Sequence, residues 1–445
     1  MKIPEKAPQT RLSADFLSDL PGMSQKIRDV YKRAQDDYLY WDKFKQLQMP
    51  EGVQASDAWA FVKLMRGLNR KPTVIPDAHG SHFTYEVTEN VMRALHNIDK
   101  WAGGWDVSTT PHLPHDAQRE RYILSSLLEE SIASSQIEGA STTRRRAREM
   151  LLNAEKPRDN SEQMILNNYV TMRKIRELVD SPITPELLLE LQGSMTVDTL
   201  PHPEDVGVFR TTDDIVVADD VNRILYTPPT ATEVPRMITD LCAYANKKDG
   251  AFEHPAIKAI ALHFWLALIH PFADGNGRTA RALFYLYMLK NNYWLFEYLS
   301  ISRVILRRRA QYERAYLYAE IDDSDFTYFL LFNLRAIETA LEETRKYVER
   351  KVTEDAEIQH QVQGDFELNY RQRAALSRAL KKPDSVFTFQ SHAASHGVVR
   401  ATARNDLLEL RDRGYLIRSK DGRQVLFTPA PDLRDRLSHR APLRD

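Results

Sequence analysis

The amino-acid sequence predicts a mainly α protein, a helical domain carrying one internal β-hairpin, followed by a C-terminal winged helix-turn-helix domain. Three observations predict this. Pro255–Ile269 (PAIKAIALHFWLALI) and Ala280–Leu289 (ARALFYLYML) are apolar nearly all round, the pattern of helices enclosed by a domain. Most of the chain up to about residue 350 keeps helical periodicity, with one alternating, β-favouring stretch at 215–226. From about Phe366 the order changes to helix, helix-turn-helix, hairpin.

The elements follow in order. Helical stretches are expected around Ser24–Gln48, Ser56–Gly67 and Thr88–Trp101, between loops rich in Pro and Gly. Tyr38, Tyr40, Trp41 and Phe44 fit a core stripe, with a docking surface as the weaker alternative. His79, His82, His112 and His115 lack Cys or carboxylate partners at ligand spacing and are read as loop residues. A long helix is expected from Asp116 to about Gly139, where glycine is a natural terminator. Glu138 in its last turn opposes the helix dipole and asks for a cation nearby. Arg144, Arg145, Arg146 and Arg148 read as a solvated face. Two helices fill 161–195. The hairpin comes next, from Ile215-Val216-Val217 through Asp219-Asp220 to Ile224-Leu225-Tyr226, ahead of Thr227-Pro228-Pro229. After the two apolar helices, Ser302–Glu320 reads as a helix carrying Tyr312, Tyr316 and Tyr318. Asp322–Asp325 caps another from Phe326 to about Arg350, and Val352–Gly364 reads as its extension or a linker.

The chain has 445 residues, 42% of them hydrophobic, and a net charge of −1, enough for two or three domains with real cores and without a global field toward nucleic acid or membrane. A single Cys242 excludes an internal disulfide. With neither a signal-peptide core nor an apolar run of membrane length, a cytoplasmic protein is expected.

Chemistry is densest between the two apolar helices, in His270-Pro271-Phe272-Ala273-Asp274-Gly275-Asn276-Gly277-Arg278-Thr279-Ala280-Arg281. Gly275 and Gly277 allow positive φ and let successive amides converge on an anion. The following helix N-terminus favours phosphate. Asn276 can add an amide donor. Arg278 and Arg281, three apart, share a helix face and can clamp a polyphosphate. Asp274 is a hard ligand suited to magnesium, and His270 is the loop's base near neutrality. A plain hairpin turn does not suit the helical flanks. A Walker loop needs a lysine that is missing, and a kinase glycine loop needs a glycine where Ala280 stands. Base, metal ligand and polyphosphate clamp together indicate phosphoryl or nucleotidyl transfer.

HPFADGNGRTAR resembles the signature of the Fic domain family, His-x-Phe-x-Asp/Glu-Gly-Asn-Gly-Arg-x-x-Arg, at every fixed position. The resemblance implies a protein adenylyltransferase that moves AMP from ATP to a Ser, Thr or Tyr hydroxyl of a target protein, or of itself, with Mg2+. It assigns the base to His270 and the metal to Asp274. Phosphates go to Gly275, Asn276, Gly277 and Arg278, the γ-phosphate to Arg281, and a place near adenine to Tyr312. Ser134, Glu138 and Gly139 resemble the family's inhibitory helix, expected at about 118–139, with Glu138 pairing with Arg281. The hairpin, about 213–227 with Leu225, Tyr226 and Thr227, resembles its flap, which lays the target over the loop by strand addition. The domains expected are an N-terminal helical region (1–115), a catalytic domain (116–350), a linker (351–365), a winged helix (366–430) and a tail (431–445).

The C-terminal module resembles that of many bacterial Fic proteins. Residues 360–445 hold 16 Lys and Arg against 10 Asp and Glu. Arg400, Arg404 and Asn405 on the recognition helix, with Lys420 and Arg423 on the wing, suit DNA, while winged helices equally serve protein docking or a homodimer. Two alternatives stay open: removal of AMP through the same site, and a nucleotide-sensing DNA-binding regulator.

Overall fold

The computed structural model describes residues 3–9, 14–103, 116–218, 223–363, 367–421 and 424–438, at some positions by backbone alone. Of the expectations above, those on His112, His115, Asp219, Asp220, Phe366 and Arg423 lie outside these residues. The chain divides into two compact units, Met1–Thr344 and Arg345–Asp445.

The first unit opens with α1 (Ala14–Asp36), α2 (Trp41–Phe44) and α3 (Ala55–Asn69). The helix expected across Ser24–Gln48 instead breaks at Tyr38. That residue takes a φ of 50° and sends its hydroxyl to Asp325 Oδ2 at 2.8 Å. Tyr38, Tyr40, Trp41 and Phe44 are core residues. β1 (Arg70–Pro76) and β2 (His82–Glu86) pair antiparallel where only loop was expected. Their β-branched and aromatic residues favour strands, and Asp77 Oδ1 closes the turn by accepting from the amides of His79 and Ser81 at 2.9 and 2.8 Å.

Four helices follow α4 (Glu89–Ala102): α5 (Asp116–Ile137), α6 (Arg144–Asn153), α7 (Asn160–Lys174) and α8 (Pro185–Thr196). The second hairpin is β3 (Val217–Ala218) with β4 (Ile224–Tyr226). Then α9 (Val234–Asn246) leads to the central pair, α10 (Pro255–Ile269) and α11 (Asn276–Lys290). Almost every residue of α10 is buried, because a helix without a polar face is stable only when enclosed. The helix expected over Ser302–Glu320 divides at Arg308 into α12 (Ile301–Arg307) and α13 (Arg309–Ile321). α14 (Thr327–Gln363) starts where Asp325 Oδ1 accepts from the Thr327 amide at 3.1 Å, and the polar stretch from Val352 is helix as far as Gln363.

In the second unit, α15 (Tyr370–Lys381), α16 (Phe389–His396) and α17 (Arg400–Asp412) precede β5 (Leu416–Asp421) and β6 (Gln424–Pro429), in the order the sequence predicts, and α18 (Leu433–Ser438) follows where only a tail was expected, burying Leu433 and Leu437 in the core of this unit. Asp406 ties its three main helices together. Its carboxylate accepts from Arg371 Nε and Nη2 at 2.6 and 3.0 Å, and from Asn369 Nδ2 at 2.8 Å. It also lies 3.3 Å from His392 Nε2. No described helix is long and apolar enough to cross a membrane.

Candidate active site

The loop between α10 and α11 is fixed by its own residues and from two sides. His270 ends α10 in a left-handed conformation, φ 49° and ψ 56°. Gly275, with φ 84°, caps α11, and a Cβ there would stand 2.8 Å from Thr196 Cγ2, so only glycine fits. Phe272 is fully buried and stacks on Phe209 with 5.6 Å between centroids. Asn276 closes the loop on itself: its Oδ1 accepts from the Phe272 amide at 3.0 Å, and its Nδ2 donates to the Phe272 carbonyl at 2.9 Å. The amide expected to reach phosphate is therefore spent on holding the loop's shape, and the side chain is buried.

Two positioning residues were not singled out in the sequence. Gln192, on α8, donates to the Asp274 carbonyl at 3.1 Å and accepts from the Gly207 amide at 2.6 Å. Arg210 donates from Nε to the His270 carbonyl, and its amide bonds the Pro271 carbonyl, both at 2.9 Å. Its guanidinium also reaches the carbonyls of Thr212 and Pro229, so it joins the loop to both ends of the β3–β4 segment. No local pattern marks either residue; only the tertiary fold gives them partners.

Burial lowers the His270 imidazole from its usual pKa, an effect the carboxylates of Glu138 and Asp274 oppose only in part. Its Nδ1 lies 3.3 Å from the Ala267 carbonyl. A carbonyl only accepts, so that bond needs Nδ1–H and leaves the Nε2 lone pair free, the form a general base requires. The Asp274 side chain is half exposed; Oδ1 accepts from the Gly275 amide at 2.5 Å and Oδ2 from Arg278 Nη2 at 3.1 Å. Arg278 is buried and also donates to the Met195 carbonyl at 2.9 Å.

The end of α5 lies against the first turn of α11. Arg281 donates from Nε to Ser134 Oγ at 3.0 Å, and from Nη2 to the Ser134 carbonyl at 2.9 Å and Glu138 Oε1 at 2.8 Å. Its Nη1 is buried without a partner. A Cβ on Gly277 would run into the Glu138 carboxylate. That carboxylate thus covers the anion-binding end of α11, where first-turn amides have no upstream carbonyl. Burial would raise the Glu138 carboxyl, but Arg281 beside it, with Arg278 and His270, holds it below the usual range. Gly139, at φ 99°, turns the chain away. Glu130 anchors α5 further back, accepting from the Tyr285 hydroxyl and the Ser302 amide, both at 2.9 Å, and from the Ser302 hydroxyl.

In the hairpin, the Tyr226 hydroxyl donates to the Leu268 carbonyl at 2.9 Å, two residues before His270; Leu225 is half-buried and Thr227 exposed. Tyr312, expected near a base, is buried. Its hydroxyl lies 2.9 Å from His263 Nε2, and the charge of Arg281 bears on it. Helical spacing turns it inward, behind the arginine. In the second unit Arg400, Arg404, Asn405 and Lys420 are all exposed. Among the described residues no group of three His, Cys, Asp or Glu side chains could hold a metal ion.

Residues 182–288, which contain this loop, Gln192, Arg210 and the hairpin, match the Fic/DOC family. That segment is a Fic/DOC-family domain. The match is joined by a protein adenylyltransferase Fic of Nematostella vectensis, 32% identical over 106 residues, 22% of this chain and 23% of that protein. Protein adenylyltransferase fic-1 of Caenorhabditis elegans is 33% identical over 91 residues, 20% of this chain and 16% of that protein. This chain therefore spans less than a quarter of the length of either relative. The fold is shared more widely. A Fic family protein from Desulfovibrio desulfuricans G20 superimposes with a TM-score of 0.55 at 21% identity, over 78% of this chain and 98% of its own. Fic-1 from C. elegans gives 0.50 at 17% identity, over 75% and 87%. Ser134, Glu138 and Tyr312 lie outside the residues matched to the Fic/DOC family and reach the Fic loop through α5 and α13.

Proposed function

We propose that this chain is a protein adenylyltransferase whose activity is restrained by its own Glu138. The observation that carries this reading is the Glu138 carboxylate, bonded to Arg281 and seated over Gly277, in the place that a nucleotide's terminal phosphate needs. Once that carboxylate leaves, Arg281 offers a bidentate fork and α11 offers its first-turn amides to the polyphosphate of ATP. Asp274, half exposed and on the same helix end, suits magnesium, which takes one or two protein carboxylates and completes its shell with phosphates and water. The ion would supply charge neutralisation on the phosphates.

The target's hydroxyl oxygen attacks the α-phosphorus, the bond from that phosphorus to the bridging oxygen breaks, and pyrophosphate departs. His270 Nε2 takes the hydroxyl proton. Short strands with open edges at β3 and β4 suit main-chain pairing with an extended target segment, Tyr226 pinning the hairpin to α10. The names of the curated relatives support this chemistry.

The test uses α-labelled ATP, magnesium and a cell lysate with the wild type, Glu138→Gly, and Glu138→Gly/His270→Ala. Label is expected with Glu138→Gly and lost in the double variant, while the double variant still binds ATP. Absence of label from every folded, ATP-binding variant overturns the transferase reading. The same proteins incubated with an already labelled target then score removal of AMP, which Glu138 beside His270 could assist by holding water. In the second unit, exposure of Arg400, Arg404, Asn405 and Lys420 favours a DNA contact as a separate property. It is tested by salt-dependent binding to a duplex panel, with Arg400→Ala/Arg404→Ala as control.

A further inference from the structure

Glu130, Ser134 and, just past the last residue of α5, Glu138 meet Tyr285, Arg281 and Gly277 of α11 in antiparallel register, each step four residues along both segments. Residues four apart share a helix face, so this ladder fixes how far α5 reaches along α11 and which way it is turned. Its last rung is the Glu138 carboxylate over the anion-binding end of α11. The first rung stands about two turns away from that end.

Between the two, packing has little to grip. Ser131, Ala133, Ser134 and Ser135 are all small and all buried. Small side chains raise low ridges, and ridges seated in grooves are what stop one helix sliding on another. On the α7 side the hydrogen bonds are long: Asn168 Nδ2 donates to the Ser131 carbonyl at 3.3 Å and to Ser135 Oγ at 3.4 Å. Glu130 is the exception. It is buried, and its Oε2 accepts from the Tyr285 hydroxyl and the Ser302 amide, both at 2.9 Å, and from the Ser300 hydroxyl at 3.2 Å. Its Oε1 accepts from the Ser302 hydroxyl. Four uncharged donors, from α11 and the start of α12, thus converge on one carboxyl. They offset only in part the burial that raises it. Sliding α5 by one turn, about 5.4 Å, would strand that carboxyl in the core without a donor. A buried polar contact of this kind selects a register more than it adds stability.

We infer, resting on the restrained-transferase reading, that Glu130 is the positioning residue of the restraint: by pinning α5 to α11 and α12 it places Glu138 over Gly277. The strength of the restraint is then set where α5 meets α12, outside the nucleotide site.

The test compares wild type, Glu130→Ala, Glu130→Gln and Ser302→Ala, each with Glu138 present and with Glu138→Gly. Labelling from α-labelled ATP is read beside calorimetry with ATP and ADP. Glutamine keeps the contact: its carbonyl can take the bonds of Oε2 and its amide can donate to the Ser302 hydroxyl oxygen. Glu130→Ala is expected to raise labelling about tenfold, Ser302→Ala about threefold, and Glu130→Gln by less than about twofold. With Glu138→Gly none of them should raise it further, because no carboxylate remains to be placed. Binding should move in step: Glu130→Ala, with Arg281 free for a terminal phosphate, should gain about tenfold in preference for ATP over ADP. Thermal melts show which variants are folded, and Ser302→Ala carries the comparison if Glu130→Ala is not. Wild-type labelling and a wild-type ATP-to-ADP ratio in the folded variants overturn the inference, as does an equal rise in the Glu138→Gly background. Failure of Glu138→Gly to label any protein, while the ATP-to-ADP ratio still responds to Glu130→Ala, would count against the transferase reading and leave the pin standing.

Discussion

Glu138 closes α5 and Glu320 closes α13, and both set a carboxyl against the negative end of a helix on the approach to one loop. Their surroundings differ in the cation that faces them. Glu138 has the Arg281 guanidinium at 2.8 Å, which holds its carboxyl below the usual range; Glu320 has no partner among the described residues and burial pushes it up to about 8. Place in the helix does not decide the state of such a group. The cation opposite decides it, and in one case that cation is a group the nucleotide itself would need.

Exchanging the two carboxyls one at a time breaks the comparison at its widest point. Glu138→Gly frees Arg281 and uncovers Gly277, and initial rates of labelling are expected to rise on the order of 100-fold, the scale of one preorganised charge contact. Glu320→Gln in otherwise wild-type protein should leave the restrained rate where it is, because the Glu138–Arg281 pair is untouched. A comparable rise from Glu320→Gln would place the restraint elsewhere. Stability separates the two next. Glu138→Gly leaves a buried guanidinium short of its carboxylate and should cost about 3 kcal/mol in urea unfolding near neutral pH, the lower end for a broken buried pair. Glu320→Gln breaks no bond, and at pH 5 should stay within about 0.5 kcal/mol of wild type.

The sequence carries the polar half of this site and leaves out what holds it. His270, Asp274, the two glycines and the two arginines are legible because they are consecutive, and Glu138 because a glycine and a serine flank it at fixed spacing. The fold class is legible for a similar reason: α10 and α11 lack a polar face. Gln192, Arg210 and Glu130 are not, since each acts through carbonyls, amides or hydroxyls brought to it by other elements, and no local spacing records that. Asn276 shows the converse error. Its type and place suggest a phosphate donor, yet both ends of its amide are bonded to Phe272. Tyr312 is buried behind Arg281, and an inward-facing aromatic on α13 looks the same in sequence whether it backs an arginine or meets a base. The β1–β2 hairpin could have been found from its alternating residues and the Asp77 turn, had Pro72 and Pro76 not marked the stretch as loop.

The smallest expected effect sharpens the contrast most, because the two glutamates should pull stability in opposite directions as pH changes. Glu138 is held below its usual value by Arg281 against the effect of burial. It adds stability that is complete above the ordinary glutamate value near 4.5 and lost as pH falls through its lower folded value. Glu320 is held above it. Its ionisation costs the fold nothing below pH 4.5 and progressively more up to about 8, so stability declines over that window. Urea unfolding from pH 4 to 9 should therefore show Glu320→Gln overtaking wild type as pH rises. The margin should reach about 1–2 kcal/mol once water around a half-buried carboxyl is allowed for. Glu138→Gln should run below wild type at neutral pH and approach it in acid. Parallel curves for wild type and Glu320→Gln would mean that the Glu320 carboxyl finds a cation or a donor in solution.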